Sequence, residues 1–462
     1  MSHQIHAETG KDKILKVLRE ANENPLEFLD KVLEKTIKHD KMHRRLSLLT
    51  NLSAYGPNPL NVILKAETTT GKSWIMIQTA KLFPEEDVMK YCDASPKAFY
   101  WKYGKQKCKE HGDPCPEKCK AEKIKIISFK HKILMFLDQP NDQLLQVMKP
   151  LLSHDDRTLI RIVTDPTRKG TNKTIEVHLQ DWPSLCFASC QQQTDPETAS
   201  RAFIISPDDS QEKVDQVLHF ITLKEKDHQK WKQEYENDQE VIIAKQMIRE
   251  IKTLATSYKE IQIEKPYIEE LEEKFKKEFP TCPRSMRAFP QLLALIDAVA
   301  LLNHKNRTKT ECEDGSLKIT STLEDEKAAL EILNYFLEGL KYGLSTAVVD
   351  FYKRIARPLL KEQEVARKKD FAKRYRDVKG RYSGPRQIQR YYLNPLLDVG
   401  LLNEEKDRDD NRFMVYTLNE TPKIMDQGGS VSPPTNKGDV PTPPDTLSDN
   451  ETIEKYTERE EL

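Results

Sequence analysis

The segment from Asn61 to Trp74 constrains the fold of this chain most strongly, because it joins an apolar run to a polar loop and a helical sequence. Val62 to Leu64 predicts a buried strand, and Trp74 to Leu82 predicts a helix. The loop between them ends in Gly71-Lys72-Ser73. In this order, loop amides and the helix N-terminus can surround phosphate groups.

The polar residues of this loop have distinct expected roles at a nucleotide. Thr70 and Gly71 belong to the cradle, Lys72 reaches the β- and γ-phosphates, and the Ser73 hydroxyl takes one Mg²⁺ position. Ala66 stands where the pattern G-x-x-x-x-G-K-[ST] begins with Gly, and alanine is tolerable there only if the backbone keeps a negative φ. The alternative is a loop that a lysine merely caps.

Composition sets only loose bounds. A length of 462 residues fits roughly two to four domains. Lys+Arg and Asp+Glu balance at 74 each, so the net charge excludes no class of partner. We expect no apolar run of membrane-spanning length and no signal peptide, hence a cytoplasmic protein. Its eight cysteines are then expected to be reduced thiols or metal ligands.

A second apolar run, Ile133 to Leu137, ends in Asp138 and predicts a strand whose carboxylate holds the water shell of a Mg²⁺ ion. The next residue in such motifs is usually Glu, but here it is Gln139. Glutamine can position a water molecule but cannot accept its proton. The sequence therefore leaves open whether a bound nucleotide is hydrolysed, unless another acid such as Asp142 compensates.

Alternating apolar residues on both sides of a Pro/Gly/Asn turn, Leu159 to Thr164 and Lys173 to Leu179, predict a β-hairpin. The turn carries three basic side chains, Arg168, Lys169 and Lys173. They suit contact with a polyanion, although basic residues are also common in ordinary solvated turns.

Three polar positions beside later apolar elements are candidates for a nucleotide site. Ser189 follows the strand predicted at 185–188 and is placed to meet a γ-phosphate or its water. Arg201 precedes another apolar strand, and Arg287 opens a long apolar helix. The alternatives are a strand end without a role for Ser189 and a pair with Asp195 or Glu197 for Arg201.

A compact group of cysteines and a histidine predicts a structural zinc site. Cys108, His111, Cys115 and Cys119 form a Cys₃His set, which suits tetrahedral Zn²⁺. The alternative is a lysine-rich insertion whose thiols are incidental.

The residues from 346 to 418 match a winged-helix pattern of three helices and a strand pair. From Lys353 to Arg390 there are fourteen Lys and Arg against four Asp and Glu, the local charge expected of a phosphate-binding face. The third helix is predicted to enter the DNA major groove with Arg386, Gln387, Gln389 and Arg390. Lys379, Arg381 and Tyr382 are expected to anchor it to phosphates. The alternative is a winged helix that contacts protein.

This succession resembles the AAA+ ATPases, and within them the hairpin-bearing branch that includes minichromosome-maintenance and superfamily 3 helicases. The span from Leu26 to Leu418 is also similar to primase/helicase-type ATPases of archaeal plasmids and viruses, and the segments Leu52 to Leu60 and Lys149 to Asp155 carry this resemblance. The resemblance implies ATP and Mg²⁺ as ligands, DNA as a partner, and a homo-oligomeric ring such as a hexamer.

The resemblance also implies roles for single residues. Lys72 and Ser73 correspond to the first nucleotide motif, and Asp138 to the aspartate on the Mg²⁺ side. Ser189, or less favourably Cys190, stands at the sensor-1 position, and Arg287 resembles the sensor-2 arginine. Arg201 resembles an arginine finger given to a neighbouring subunit, and Lys169 would face DNA in a central channel. Ala66 and Gln139 depart from the family pattern.

Together these patterns predict an α/β chain with a parallel sheet in its P-loop core. The expected parts are a helical N-terminal region (1–55), an AAA+ core (56–210) with a Cys/His-containing insertion (92–130), a helical lid-like region (211–310), a winged helix-turn-helix domain (311–418) and a disordered acidic tail (419–462). The expected function is an ATP-dependent DNA-binding motor or replication initiator of a mobile genetic element. The alternatives are a weakly hydrolysing DNA-binding regulator that ATP switches and, with less support, a signalling ATPase whose winged helix binds protein.

Overall fold

Five short apolar strands form a parallel sheet at the centre of the chain. Their bounds are β1 Asn61–Lys65, β2 Val88–Tyr91, β5 Ile133–Phe136, β8 Ser184–Ser189 and β9 Phe203–Ile205. The order across the sheet is β2-β5-β8-β1-β9, and all neighbours are parallel. Strands covered on both faces need nearly continuous apolar runs, which the buried strands β1, β5, β8 and β9 supply, whereas the edge strand β2 is only partly buried. The predicted α/β class with a parallel sheet is confirmed.

The computed structural model describes residues 10–67, 69–92, 94–95, 104–111, 123–164, 174–190, 196–279, 285–408 and 410–419. They all belong to one compact unit, Met1–Asp426, and the predicted tail 419–462 lies outside them except for its first residue. The α-helices of the described residues are α1 Gly10–Glu23, α2 Pro25–Glu34, α3 Lys41–Ser53, α4 Lys72–Ala80, α5 Asp142–Ser153, α6 Pro196–Ser200, α7 Gln211–Lys226, α8 His228–Glu236, α9 Gln239–Ser257, α10 Ile268–Glu278, α11 Ser285–Leu302, α12 Leu323–Tyr342, α13 Thr346–Phe351, α14 Arg357–Gln363, α15 Lys368–Lys379, α16 Pro385–Ile388 and α17 Asn394–Asp398.

Alternate residues of the central strands enter two different cores. Val62 and Leu64 pack with helices of the N-terminal region and with α9, α11 and α12, whereas Ile63 packs with α5 and the second sheet. This alternation follows from the two-residue period of a strand. The loops at the carboxyl ends of the strands are thereby held between two packed layers.

Helix α11 is the most apolar of the long helices in the described residues. Its 18 residues are long and apolar enough to cross a membrane by length and composition, which corrects the expectation that no such run exists. Most of the helix is buried within the protein, where it packs against α3 and α12. A core helix of a folded domain has the same composition, and the contacts of α11 are of that kind.

A second sheet of four strands lies beside the first and contains the predicted hairpin. Its strands are β3 Lys105–Cys108, β4 Lys123–Ser128, β6 Thr158–Thr164 and β7 Thr174–Gln180, in the order β3-β4-β7-β6. Strands β6 and β7 are antiparallel, with Thr164 opposite Thr174. The hairpin is therefore confirmed, but its turn, with Arg168, Lys169 and Lys173, lies outside the described residues.

A third small sheet fixes where the first core ends. Strands β10 Ile261–Glu264, β12 Leu317–Thr320 and β11 Lys309–Glu311 pair in that order, and α12 packs on α11. Residues 309–342 therefore share the core of the preceding helical region. A separate hydrophobic cluster begins at Leu344.

The remaining residues form a C-terminal domain, Thr346 to Asn419, with its own core around Phe351, Tyr375 and Leu393. Three helical segments precede or flank a sheet of β13 Ala366–Arg367, β15 Met414–Leu418 and β14 Leu402–Lys406, in that order. The predicted three helices and strand pair are all present, and β13 adds a short third strand. Two of the helical segments contain π-helical turns, at Tyr352–Ala356 and Gln389–Leu393.

The buried carboxylate of Asp209 joins this domain to the rest of the unit. It accepts hydrogen bonds from the hydroxyls of Tyr375 (2.5 Å) and Tyr392 (3.1 Å). It also pairs with Lys379 (3.0 Å) and Arg381 (3.3 Å). All four partners belong to the C-terminal domain, whereas Asp209 follows β9. Removing the charge of Asp209 takes the shared carboxylate away from both cations at once, and breaking a buried ion pair in this way is destabilising.

We therefore expect Asp209→Asn to lower the free energy of unfolding by about 3 kcal/mol. Asp377→Asn, an exposed position on α15, is the matched control and is expected to change it by less than about 0.5 kcal/mol. Urea denaturation of both variants measures the difference. Equal effects of the two substitutions would contradict the role of Asp209.

The same contribution depends on pH. Burial alone would raise the pKa of Asp209, but Lys379, the Tyr375 hydroxyl and Arg381 outweigh it and lower the pKa below 3.8. A lowered folded pKa stabilises the protein above the unfolded pKa. The difference in the free energy of unfolding between the unchanged protein and Asp209→Asn should therefore have its full value well above pH 3.8. It should shrink as the pH falls below 3.8.

Candidate phosphate-binding site

The loop between β1 and α4 has the backbone that a phosphate cradle needs. Helix α4 begins at Lys72, and Gly71 caps it with a φ of 90°. Thr69 also has a positive φ of 70°, whereas Ala66 is not among the described residues with positive φ. The condition for alanine at the first position of the motif is therefore met, and the required glycine freedom lies at Gly71.

Lys72 lies across this loop. Its Nζ donates to the backbone oxygens of Ala66 (2.6 Å) and Glu67 (2.5 Å), and its side chain is buried. Two backbone carbonyls thus hold the ammonium group at the loop. A phosphate entering the loop would offer it charge-assisted hydrogen bonds, which are stronger than those to neutral carbonyls.

The second motif meets the first at the end of β5. Ser73 Oγ donates to the backbone oxygen of Leu137 (3.3 Å), which immediately precedes Asp138. Asp138 is exposed at this edge, and its Oδ1 accepts the backbone N–H of Gln139 (2.8 Å). A hydroxyl and a carboxylate brought to one edge fit Mg²⁺, which is usually held by one or two carboxylates and its own waters.

Ser189 lies between the two motifs because β8 lies between β1 and β5. Its Oγ donates to Gln139 Oε1, and its backbone oxygen accepts the N–H of Ala66 (3.3 Å). The hydroxyl therefore fixes the Gln139 amide beside the phosphate loop. The sequence placed both residues near a phosphate but missed this contact, because it does not reveal strand order.

An apolar cavity of about 460 Å³ adjoins the loop and was missed by the sequence reading. Its polar wall contains Thr69, Thr70 and Gly71 together with charged residues of both signs, and its apolar wall contains Trp74 and one face of α7. That face exposes Val214, Leu218 and Ile221, at the spacing of one helix stripe. This apolar stripe is the feature of the sequence from which the cavity could have been predicted. The combination suits a ligand with an anionic part and a flat apolar part, such as a nucleotide.

Arg201, predicted to serve the nucleotide of a neighbouring subunit, and Arg287, predicted at the sensor-2 position, both lie away from the phosphate loop of their own chain. Arg201 Nη2 pairs with Glu197 (2.7 Å) and Nη1 donates to the Lys149 backbone oxygen (2.6 Å), so its contacts are those of the alternative interpretation. Arg287 lies near His154, where burial lowers the pKa of the imidazole to about 4 and Arg287 adds to that lowering. His154 follows the far end of α5, about 18 Å of helix from its start near Asp138.

The predicted metal ligands are only partly within the described residues. Cys108 Sγ lies 3.5 Å from His111 Nδ1. Cys115 and Cys119 lie outside the described residues. Within the described ranges, no group of three or more His, Cys, Asp and Glu side chains could hold a metal ion. Zinc therefore stays a prediction from the sequence.

The predicted DNA-binding residues divide into two groups. Arg386, Gln387 and Arg390 are exposed on the third helical segment, and Gln389 is half-buried against Lys368 (3.3 Å). Lys379, by contrast, is enclosed by carboxylates, including Asp209 and Asp350 (2.8 Å). The expectation that Lys379 anchors DNA phosphates is wrong, because its charge already holds the C-terminal domain in place.

Comparison with known families agrees with this site. Residues 8–253 match a family described as MTBMA_p00010 P-loop domain, which covers more than half of the chain. The matched part contains the phosphate loop, Asp138 and Ser189, and it ends before the C-terminal domain. A comparison with curated proteins found no significant match.

We expect Gly71→Ala to weaken nucleotide binding and to destabilise the loop by about 1–2 kcal/mol, because alanine is strained at a φ of 90°. Ala66→Gly is the matched control, since Ala66 needs no positive φ, and it should retain binding. Titration with a fluorescent ATP analogue and thermal unfolding measure both effects. Unchanged binding and melting in Gly71→Ala would contradict the loop geometry.

Proposed function

This chain belongs to the MTBMA_p00010 P-loop domain family, and we propose that it is an ATP-dependent DNA-binding motor or replication initiator of helicase type from a mobile genetic element. The observation that carries the nucleotide part is the meeting of Lys72, Ser73, Asp138 and Ser189 at one edge of the parallel sheet. The DNA part rests on the basic C-terminal domain and on the resemblance stated above. We place the protein in the cytoplasm.

In this proposal, the chain's own groups bind the triphosphate. Lys72 leaves the loop carbonyls for the β- and γ-phosphates, and loop amides from Thr70 and Gly71 donate to the phosphate oxygens. Ser73 and Asp138 would hold Mg²⁺, which would neutralise charge on those oxygens. The base would occupy the apolar cavity beside Trp74.

The amide of Gln139 decides between a motor and a switch. Held by Ser189 Oγ, it can orient a water molecule toward the γ-phosphate. It cannot take the proton of that water, so turnover is expected to be slower than with a carboxylate. This residue favours the second candidate, an ATP-binding regulator that hydrolyses weakly.

We also propose that the protein acts as a ring of identical subunits. Arg201 precedes β9 at the amino edge of the sheet, whereas the phosphate loop follows β1 at the carboxyl edge. A strand of five residues separates these edges by roughly 17 Å. Arg201 therefore cannot serve its own nucleotide. As an arginine finger it would leave Glu197 and reach the nucleotide of a neighbour.

For DNA, we propose that the C-terminal domain is a winged helix. Its order of three helical segments and a three-stranded sheet supports this assignment, and Arg386, Gln387 and Arg390 are exposed where a recognition helix would carry them. The hairpin turn with Lys169 would supply a second contact inside the ring.

The first test is the ATPase rate with and without single-stranded and duplex DNA. We expect turnover that DNA stimulates and that Lys72→Ala abolishes, because Lys72 is the cation of the loop. Gln139→Glu should raise turnover about tenfold or more, since a carboxylate can accept the proton.

The outcomes separate the candidates. DNA-stimulated turnover in the unchanged protein supports the motor. Nucleotide binding without turnover, with activity appearing only in Gln139→Glu, supports the ATP switch. Full nucleotide binding by Lys72→Ala would contradict both candidate functions.

We expect Arg386→Ala to weaken duplex DNA binding by about 1–3 kcal/mol if the third helix enters the major groove. Lys327→Ala is the matched control, because it removes an exposed lysine of α12, outside the C-terminal domain. Fluorescence anisotropy over a series of salt concentrations measures affinity and its salt dependence. Absence of salt-sensitive binding would favour a winged helix that contacts protein.

A further inference from the structure

One arginine of the C-terminal domain reaches the phosphate loop. Arg381 follows α15 through Gly380, whose φ of 71° turns the chain toward the sheet. Its Nη2 lies 3.8 Å from Glu67 Oε2 and 3.3 Å from Asp209 Oδ2, and its Nε donates to the Tyr375 hydroxyl (3.2 Å). Arg381 also lines the apolar cavity together with Thr69, Thr70 and Gly71.

Glu67 is an unusual residue for an anion-binding loop. It belongs to the loop between β1 and α4, its backbone oxygen accepts Lys72 Nζ, and its side chain is 19% exposed. Burial raises the pKa of Glu67, and Arg381 acts against that rise by favouring the charged form. A carboxylate in a phosphate-binding loop repels the phosphates unless a cation accompanies it.

The contacts of Arg381 leave it able to change partners. Its distances to the two carboxylates are longer than the 2.7–2.9 Å of strong charge-assisted hydrogen bonds. Asp209 would keep Lys379, Tyr375 and Tyr392 if Arg381 moved away. The domain therefore stays docked through Lys379, while the guanidinium is available to another anion.

We propose that Arg381 completes the nucleotide site from the C-terminal domain, moving from Glu67 and Asp209 to the phosphates when a nucleoside triphosphate binds. A guanidinium has five N–H donors in a planar fork, which suits phosphate oxygens. This inference rests on the proposed nucleotide site and adds a residue that the family match, ending at residue 253, does not contain.

Movement of Arg381 would also affect α16, which carries proposed DNA-binding residues. Only residues 382–384 separate it from α16, which begins at Pro385 and carries the exposed Arg386. Gly380 and Gly384 bound this short connection. Contact of Arg381 with a triphosphate therefore shifts the segment that positions α16, and the occupied site and the third helix become coupled. By linkage, the coupling acts equally in both directions.

The test compares ATP and ADP affinities of the full chain by titration with fluorescent analogues. We expect Arg381→Gln to weaken ATP binding about tenfold or more, as the loss of a charge-assisted hydrogen bond would, and ADP binding much less. Arg376→Gln, an exposed arginine on α15, is the matched control and should leave both affinities unchanged. Equal losses for ATP and ADP in Arg381→Gln, or no loss, would overturn the proposal.

A second pair of variants separates direct contact from neutralisation of Glu67. If Arg381 binds the phosphates, Arg381→Gln still weakens ATP binding in a Glu67→Gln background. Complete rescue by Glu67→Gln would instead show that Arg381 only neutralises that carboxylate, and would overturn direct contact. Lys72→Ala serves as the reference for the site itself, because unchanged binding in Lys72→Ala would refute the proposed function rather than the role of Arg381.

Amide hydrogen exchange of residues 385–398 reports whether the third helical segment responds to the nucleotide, which an affinity measurement does not. Addition of ATP should change exchange in this helical segment of the unchanged protein and of Arg376→Gln, but not of Arg381→Gln. Arg381→Lys keeps the charge without the planar fork and should retain only part of the response. An ATP response that persists in full in Arg381→Gln would overturn the coupling.

Discussion

Burial of the parallel sheet on both faces is the constraint on which the rest of the structure depends. Because successive residues such as Val62 and Ile63 enter different cores, each strand is fixed in register and direction. The carboxyl ends of β1, β5 and β8 then meet at one edge. The order of the strands brings Lys72, Asp138 and Ser189 to that edge. A one-residue slip of any strand would turn its buried side chains toward the wrong core.

The position of β8 between β1 and β5 determines what this edge can do. It puts the Ser189 hydroxyl against Gln139, between the lysine of one motif and the aspartate of the other. The substitution of Gln for Glu is thus compatible with an ordered amide that orients water. In the function proposed above, hydrolysis would be limited by proton acceptance and not by a misplaced side chain.

A second constraint joins the two cores. Asp209 would be costly to bury alone, and its two cations and two hydroxyls all come from the C-terminal domain. The same cluster draws Lys379 away from the basic face and brings Arg381 toward the phosphate loop. Charge counted along the chain therefore overstates the basic surface of this domain, because part of that charge neutralises buried carboxylates.

The sequence by itself determined the features that local interactions control. Strand, loop and helix at the phosphate loop, the hairpin of β6 and β7, and the three helices and strand pair of the C-terminal domain all follow from apolar periodicity and turn residues. Tertiary structure alone decided the strand order, the contact of Ser189 with Gln139, the location of Arg287 beside His154, and the reach of Arg381 to Glu67. These depend on which distant segments pack together, and the period of a single segment carries no information about its partner.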